Sequence, residues 1–241
     1  MTGTWRSEDS EALCRDAASV GITLQERELA ALGHIAQSVL GARSNVSGLS
    51  SVDDVRLKHL VDSLTCLAPA LLQEGERVLD LGTGAGFPGL VLAVMCPSTH
   101  FTLLDAEKKK TDFVRDTALR LEIPVRVVQG RAEELGHDPL WRGWFDCVLC
   151  RAVAPLPILL ELALPFCRVG GRVVALKGPR LEQELEASEQ ALCVLGGEVQ
   201  AHHHVELPSN AGSRRIVVIG ATRKPSEEYP RRNAMIQRRP L

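Results

Sequence analysis

The chain has 241 residues, a length that suits one large domain or one domain with an extension. Hydrophobic residues make up 45% of the sequence and charged residues 24%, which is typical of a soluble globular protein. No apolar run is long enough to span a bilayer, and residues 1–16 lack the apolar core of a signal peptide. We therefore predict no membrane span and a cytoplasmic location, and the seven scattered cysteines predict reduced thiols.

Residues 1–72 are predicted to form an N-terminal helical extension. Apolar residues recur there at helical spacing in two stretches, separated from a third helix by a Ser-, Asn- and Gly-rich link at 41–51. Asp53 and Asp54 suit the first turn of that third helix, because acidic side chains stabilise a helix N-terminus. We expect it to continue through Leu72.

Strand and helix patterns alternate from residue 73 to residue 221. The predicted strands are 77–81, 100–104, 125–128, 145–150, 172–177, 198–206 and 214–221. The predicted helices are 88–95, 108–121, 156–166 and 180–195. This alternation predicts an α/β fold with a doubly wound, seven-stranded, mostly parallel sheet. Residues 222–241 hold three prolines and few apolar residues, and we expect an extended, basic C-terminal tail.

A glycine-rich segment follows the first predicted strand. Gly82, Gly84 and Gly86 stand at every second position, where a chain that turns sharply can bring its backbone against a ligand. The string from Gly84 to Gly89 also matches the dinucleotide fingerprint, which is a weak signal alone. Asp80 favours S-adenosylmethionine, since a fixed carboxylate can hold the amino-acid end of that cofactor, directly or through water. A pyrophosphate would gain nothing from a fixed negative charge at this position.

Other polar residues follow the later strands. Ligands of doubly wound sheets bind beyond the carboxyl ends of the strands, so these residues are candidates for the same site. Asp105 ends the second strand, where an acid can accept hydrogen bonds from ribose hydroxyls, and Ala106 follows it. Thr83 belongs to the glycine loop. Arg151 and Lys177 end the fourth and fifth strands.

Several segments together resemble the class I (Rossmann-like) methyltransferases and, more narrowly, the glucose-inhibited division protein B family. The segments that carry the resemblance are Lys58-His59-Leu60-Val61-Asp62-Ser63-Leu64, residues 80–89, Phe101 to Asp105, Arg151-Ala152-Val153-Ala154 and Ala175-Leu176-Lys177-Gly178. The C-terminal residues 229–241 are similar to the tail of the longer members. The resemblance covers residues 25–241 and implies an enzyme that transfers a methyl group from S-adenosylmethionine to N7 of a guanine in 16S ribosomal RNA.

The resemblance also implies site residues. The cofactor contacts of the family correspond to Gly82, Phe87, Ala132, Glu133 and Arg151. Residues 43–47 depart from the family pattern, because they lack the aromatic residue that many relatives have before the Asn. This departure weakens the transfer of any role to that loop and leaves the cofactor site unaffected.

Guanine N7 carries a lone pair and no proton, so its methylation needs no general base. Arg151 and Lys177 are accordingly predicted to position the reactants by binding phosphate, the cofactor carboxylate or guanine O6. Eight basic and two acidic residues lie in 214–241, and this basic segment on an acidic body predicts contact with a polyanion. The candidate RNA-binding residues are Lys58, His59, Arg214, Arg215, Arg231 and Arg232.

Alternatives remain open at this stage. The chain could be an RNA-associated adenosylmethionine-binding protein without turnover, or a methyltransferase of small molecules. His59 and Asp62, three apart on one helical face, form either a structural pair or part of the active site. Cys147 and Cys150 have zinc-like spacing but lie in a predicted strand, so we expect buried thiols and no metal. The expected partner is 16S ribosomal RNA, free or within a small-subunit particle, and the expected state is a monomer.

Overall fold

One seven-stranded sheet organises the molecule, in a computed structural model that describes residues 3–42, 48–49, 51–67 and 71–241. The strands are β1 (Arg77–Leu81), β2 (His100–Asp105), β3 (Val125–Gln129), β4 (Phe145–Arg151), β5 (Cys167–Lys177), β6 (Gly197–Glu206) and β7 (Ser213–Ala221). They are ordered β3-β2-β1-β4-β5-β7-β6, and only β7 runs antiparallel to its neighbours. The predicted doubly wound, mostly parallel sheet is confirmed.

Helices precede the sheet and connect its strands. They are α1 (Ser7–Ser19), α2 (Glu26–Leu40), α3 (Val52–Val55), a π-helical turn (Arg56–Val61), α4 (Asp62–Leu64), α5 (Gly89–Met95), α6 (Lys108–Arg120), α7 (Ala132–Leu135), α8 (Leu156–Ala163), a 3₁₀ turn (Leu164–Phe166), α9 (Leu181–Glu186), α10 (Glu189–Leu195) and α11 (Asn233–Arg238). Ser51 caps α3 by accepting the backbone N–H of Asp54 at 3.0 Å. Within the described ranges, no helix is long and apolar enough to cross a bilayer.

The helices cover both faces of the sheet. Adjacent residues of a strand point to opposite faces, and both sets are apolar here. Val78 and Leu103 belong to the core cluster that includes buried residues of α1, α2, α5 and α6, whereas Leu79 and Leu104 belong to the cluster that includes those of α8 and α10. The N-terminal helices therefore share a core with the sheet.

The structure differs from the sequence-based expectations at several places. β5 begins at Cys167 rather than at residue 172, and α7 was not predicted. The third helical segment ends at Leu64 rather than Leu72. The helix predicted at 180–195 is interrupted before Ser188, whose hydroxyl donates to the carbonyl of Glu184. The expectation of an extended C-terminal tail is wrong, because residues 222–241 pack on the body and include α11, whose Ile236 is fully buried.

Candidate active site

The glycine loop between β1 and α5 has three glycines at positive φ, and they differ in what surrounds them. The φ angles of Gly82, Gly84 and Gly86 are 73°, 58° and 95°. A Cβ would lie 2.9 Å from Val153 Cγ2 at Gly82, and 2.5 Å from Leu90 Cδ1 at Gly86. At Gly84 no described atom lies within 4 Å of that position. Packing therefore requires glycine at two positions, and the third has open space beside it that a ligand can occupy.

Asp80 fixes the conformation of this loop through hydrogen bonds. One oxygen of its fully buried carboxylate accepts the Thr83 hydroxyl at 2.6 Å and the Gly89 N–H at 2.8 Å. Burial raises the pKa of Asp80 to about 6, against the opposing effect of these hydrogen bonds. Asp80 lines neither cavity described below, and its Oδ1 is buried without a partner among the described residues. The carboxylate shapes the loop, and its contact with the amino-acid end of the cofactor, directly or through water, stays a prediction.

Two adjoining cavities open at the carboxyl ends of the strands. The larger has a volume of about 850 Å³ and the smaller about 180 Å³, and Gly82 and Asp105 border both. Among the predicted residues, the larger cavity contacts Lys58, His59, Thr83, Gly84, Phe87, Arg151, Lys177 and Arg214. The smaller contacts Ala106, Ala132 and Glu133. Gly86 and Asp80 lie outside both linings.

This arrangement fits S-adenosylmethionine. The two cavities meet at Asp105, whose Oδ2 accepts the Gly84 N–H at 2.9 Å and whose Oδ1 accepts the Glu107 N–H at 2.9 Å. A carboxylate at the junction can accept hydrogen bonds from ribose hydroxyls. An adenine-sized group fits the smaller cavity, and the amino-acid end fits the larger cavity, in the open space beside Gly84.

His59 lies in the π-helical turn and is buried against Phe87. The two rings stack with centroids 4.3 Å apart and planes inclined by 12°. Arg151 donates from Nη2 to His59 Nδ1 at 3.1 Å, and because arginine only donates, the imidazole proton must be on Nε2. Burial, followed by the charge of Arg151, lowers the pKa of His59 to about 3. His59 is therefore neutral at pH 7, and its Nε2–H has no hydrogen-bond partner among the described residues.

Asp62 joins two arginines from distant strands. Its buried carboxylate accepts Arg151 Nη1 at 3.2 Å and Arg214 Nε at 2.8 Å. Arg151 also donates to the carbonyl oxygen of Lys58 at 2.8 Å. The N-terminal helical segment is thereby fastened over the ends of β4 and β7. The spacing of His59 and Asp62 indicated that Asp62 could have a structural role. The ion pair between Asp62 and Arg214 has no signal in the sequence.

Lys177 and the remaining basic candidates differ in how they are engaged. Lys177 Nζ is 2.5 Å from Glu184 Oε2 and donates to the carbonyl of Ala154. Lys58 pairs with Asp54 at 2.6 Å, and Arg215 pairs with Glu182 at 3.2 Å. Arg232 is exposed, and its side chain has no hydrogen-bond or ion-pair partner in the part of the chain that the structure describes. The departure at residues 43–47 lies outside the described residues.

Arg231 requires a correction as an RNA-binding candidate. Its guanidinium donates to both carboxylate oxygens of Glu161, at 2.8 and 2.6 Å, and Glu161 is fully buried. A cation held in this way docks the C-terminal segment and is not free for a phosphate. The sequence showed the charge but not the buried partner.

The cysteine pair and the histidine run lie in strands. Cys147 and Cys150 are free and buried in β4, where burial raises the pKa of both thiols. His202, His203 and His204 lie in β6. Within the described ranges, no three His, Cys, Asp or Glu side chains are grouped to hold a metal ion.

Residues 34–216 match the family model described as rRNA small subunit methyltransferase G. The chain belongs to this family. It is 47% identical to the ribosomal RNA small subunit methyltransferase G of Deinococcus deserti, over 83% of this chain and 82% of the relative. It is 35% identical to the protein of the same name from Pelotomaculum thermopropionicum, over 96% of this chain and 98% of the relative. The chain is therefore a methyltransferase that uses S-adenosylmethionine, as the cavities suggest.

A solved structure supports the fold alone. TrmN from Thermus thermophilus superposes with a TM-score of 0.52 at 24% identity, over 67% of this chain and 48% of TrmN. The shared part is the class I methyltransferase architecture. One fold supports many chemistries, so the function depends on the cavities and their side chains.

Proposed function

We propose that this protein transfers a methyl group from S-adenosylmethionine to N7 of a guanine in 16S ribosomal RNA. The choice of N7 rests on the acidic side chains around the large cavity, which are already bound to other groups. Asp62 binds two arginines, Asp105 accepts two backbone N–H groups, and Glu184 binds Lys177. Glu107 binds Lys110. Each acid in the described lining is thus already engaged, and an acceptor that needs no general base suits such a cavity.

The cofactor is assigned to the two cavities by the residues that border them. Ala132 and Glu133 would border the adenine, and Asp105 would accept hydrogen bonds from the ribose. Gly82 and Gly84 would offer their backbone carbonyl groups to the ammonium of the amino-acid end, since their N–H groups already donate to Leu104 and Asp105. Bound there, the cofactor supplies an electrophilic methyl group on a sulfonium.

His59 is the residue we assign to the target base. Its neutral Nε2–H is buried and without a partner among the described residues, so it can donate to guanine O6 only once the residues that cover it move aside. Such a donor orients the base without adding a positive charge beside it. This matters because N7 becomes positively charged as it is methylated. Arg151 acts through His59, by holding the imidazole tautomer and ring orientation. Such positioning can supply several kcal/mol of the barrier reduction.

The RNA backbone is assigned to basic residues at the rim. Lys58 lines the large cavity, and Arg232 extends the positive surface on the C-terminal segment. Arg214 lines the cavity too, but it is held by Asp62 as Arg231 is held by Glu161. We propose that the protein acts as a monomer in the cytoplasm, on 16S RNA that is free or within a small-subunit particle. Lys177 and Arg151 position the reactants, with their charges balanced by Glu184 and Asp62.

Nucleoside mass spectrometry tests the proposed reaction. We expect the purified protein and S-adenosylmethionine to produce 7-methylguanosine in unmodified 16S RNA, or in small-subunit particles that contain it. Comparison of the two substrates shows which form is recognised. Methylation of another atom would contradict the N7 assignment, and cofactor binding without any product would support the alternative of a binding protein.

The pH dependence of the rate should be flat. His59 has a pKa of about 3, so it stays neutral and keeps its donor from about pH 6.5 to 8.5. We expect the single-turnover rate, at saturating cofactor and RNA, to vary by less than about twofold over that range. His59→Phe keeps a ring against Phe87 but removes the donor, and should lower the rate about tenfold at every pH. A rate that rises with an apparent pKa near 7 would reveal a catalytic base.

A further inference from the structure

The C-terminal residues 222–241, named here the C-terminal strap, are fastened to the body by partly buried polar contacts. Arg142 donates from Nη1 to the carbonyl of Tyr229 at 2.7 Å and from Nη2 to that of Pro225 at 2.8 Å. His137 Nε2 is 2.7 Å from the carbonyl oxygen of Pro230. These contacts hold the backbone of the strap in one place, in addition to the buried pair of Arg231 and Glu161.

The strap is anchored on elements that also supply walls of the small cavity. Glu161 lies in α8, and the next residue, Leu162, lines that cavity. Gly136 follows α7, the helix that carries Ala132 and Glu133, and a Cβ there would come within 2.9 Å of Pro230 Cγ. The strap therefore packs against both elements that enclose the small cavity.

Asn233, at the start of α11, lines the small cavity directly. It is the strap's contribution to that lining, which also includes residues of the loops after β2 and β3. Its Oδ1 has a single long contact at 3.4 Å, with Gln237 Nε2 on its own helix. The amide is thus free to bind a ligand, and its oxygen is an acceptor suited to an exocyclic amine.

We propose that the strap forms one wall of the adenine site and that Asn233 Oδ1 accepts a hydrogen bond from the 6-amino group of the cofactor's adenine. Asn233 is then a residue that determines specificity for an aminopurine. This inference rests on the placement of the cofactor in the two cavities. It gives the strap a role in cofactor binding that is separate from contact with RNA.

Calorimetry with two ligands tests this proposal. The probes are S-adenosylhomocysteine and its analogue in which the purine lacks the 6-amino group. We expect the native protein to prefer the adenosyl ligand by about tenfold, the worth of one hydrogen bond. Asn233→Ala should abolish that preference, whereas Asn233→Asp, which keeps an oxygen acceptor, should retain it. Met235→Ala is the matched control, because Met235 is an exposed residue of the same helix outside the cavity lining.

The outcomes separate this inference from the placement of the cofactor. If Gly84→Asn loses both ligands while Asn233→Ala keeps the native preference, the role of Asn233 is refuted and the cofactor site stands. If Asn233→Ala weakens both ligands equally, its role is structural and the proposed base contact is wrong. If Gly84→Asn binds normally, the placement of the cofactor is itself overturned.

Discussion

Gly84→Asn should abolish cofactor binding in a protein that remains folded. Asparagine tolerates the left-handed conformation better than other non-glycine residues, so the φ of 58° costs about 1 kcal/mol. The new side chain would meet no described atom within 4 Å of its Cβ and would occupy cavity space that the ligand needs. We expect the affinity for S-adenosylhomocysteine, measured by calorimetry, to fall by more than about a hundredfold, as the loss of several contacts implies.

Gly75→Asn provides the matched control for that variant. Gly75 has a φ of 74° and open space around its Cβ position, but it borders neither cavity. Both variants should show similar small decreases in melting temperature, and only the variant at Gly84 should lose the ligand. Equal affinities in the two variants would mean that the glycine loop does not contact the cofactor.

Arg231→Met should cost roughly 3–5 kcal/mol of the free energy of unfolding, because it leaves the buried carboxylate of Glu161 without its cation. Release of the C-terminal strap would limit the loss by exposing Glu161 to water. Urea denaturation measures the stability, and limited proteolysis detects a released strap. Arg232→Met is the control, since Arg232 is exposed, and it should change stability by no more than about 0.5 kcal/mol.

The double variant Glu161→Gln with Arg231→Met identifies the cause of that loss. Glutamine keeps an oxygen that can accept the backbone N–H of residue 231, which Glu161 binds at 2.8 Å, and it removes the buried charge. The double variant should therefore be more stable than Arg231→Met alone. A double variant as unstable as the sum of its two single variants would show that the charges are not coupled.

The sheet and its binding edge could be predicted from the sequence because both depend on local patterns. Apolar runs of strand length alternate with helical periodicity, and such alternation leads to a parallel sheet. The carboxyl ends of its strands then converge at one edge. Thr83, Asp105, Arg151 and Lys177 could be placed at that edge before any contact between them was known.

The rest depends on pairings between distant parts of the chain. Asp62 meets Arg214 across 152 positions, and Arg231 meets Glu161 across 70. Charge alone marked both arginines as candidates for RNA contact, since a sequence does not show which charges are neutralised by a partner. The C-terminal strap was expected to be extended because a sequence does not show contacts with distant residues either. Its prolines and polar residues give no periodic pattern, and its anchors lie on other elements.

The position of β7 between β5 and β6 has a consequence for the order of events during synthesis. β6 is made before β7, yet among the described strands it pairs only with β7. β6 therefore cannot join the sheet until β7 has been synthesised. Because β7 also carries Arg214, its arrival completes the charge balance around Asp62. A nascent chain thus lacks a finished cavity until nearly all of it has been translated.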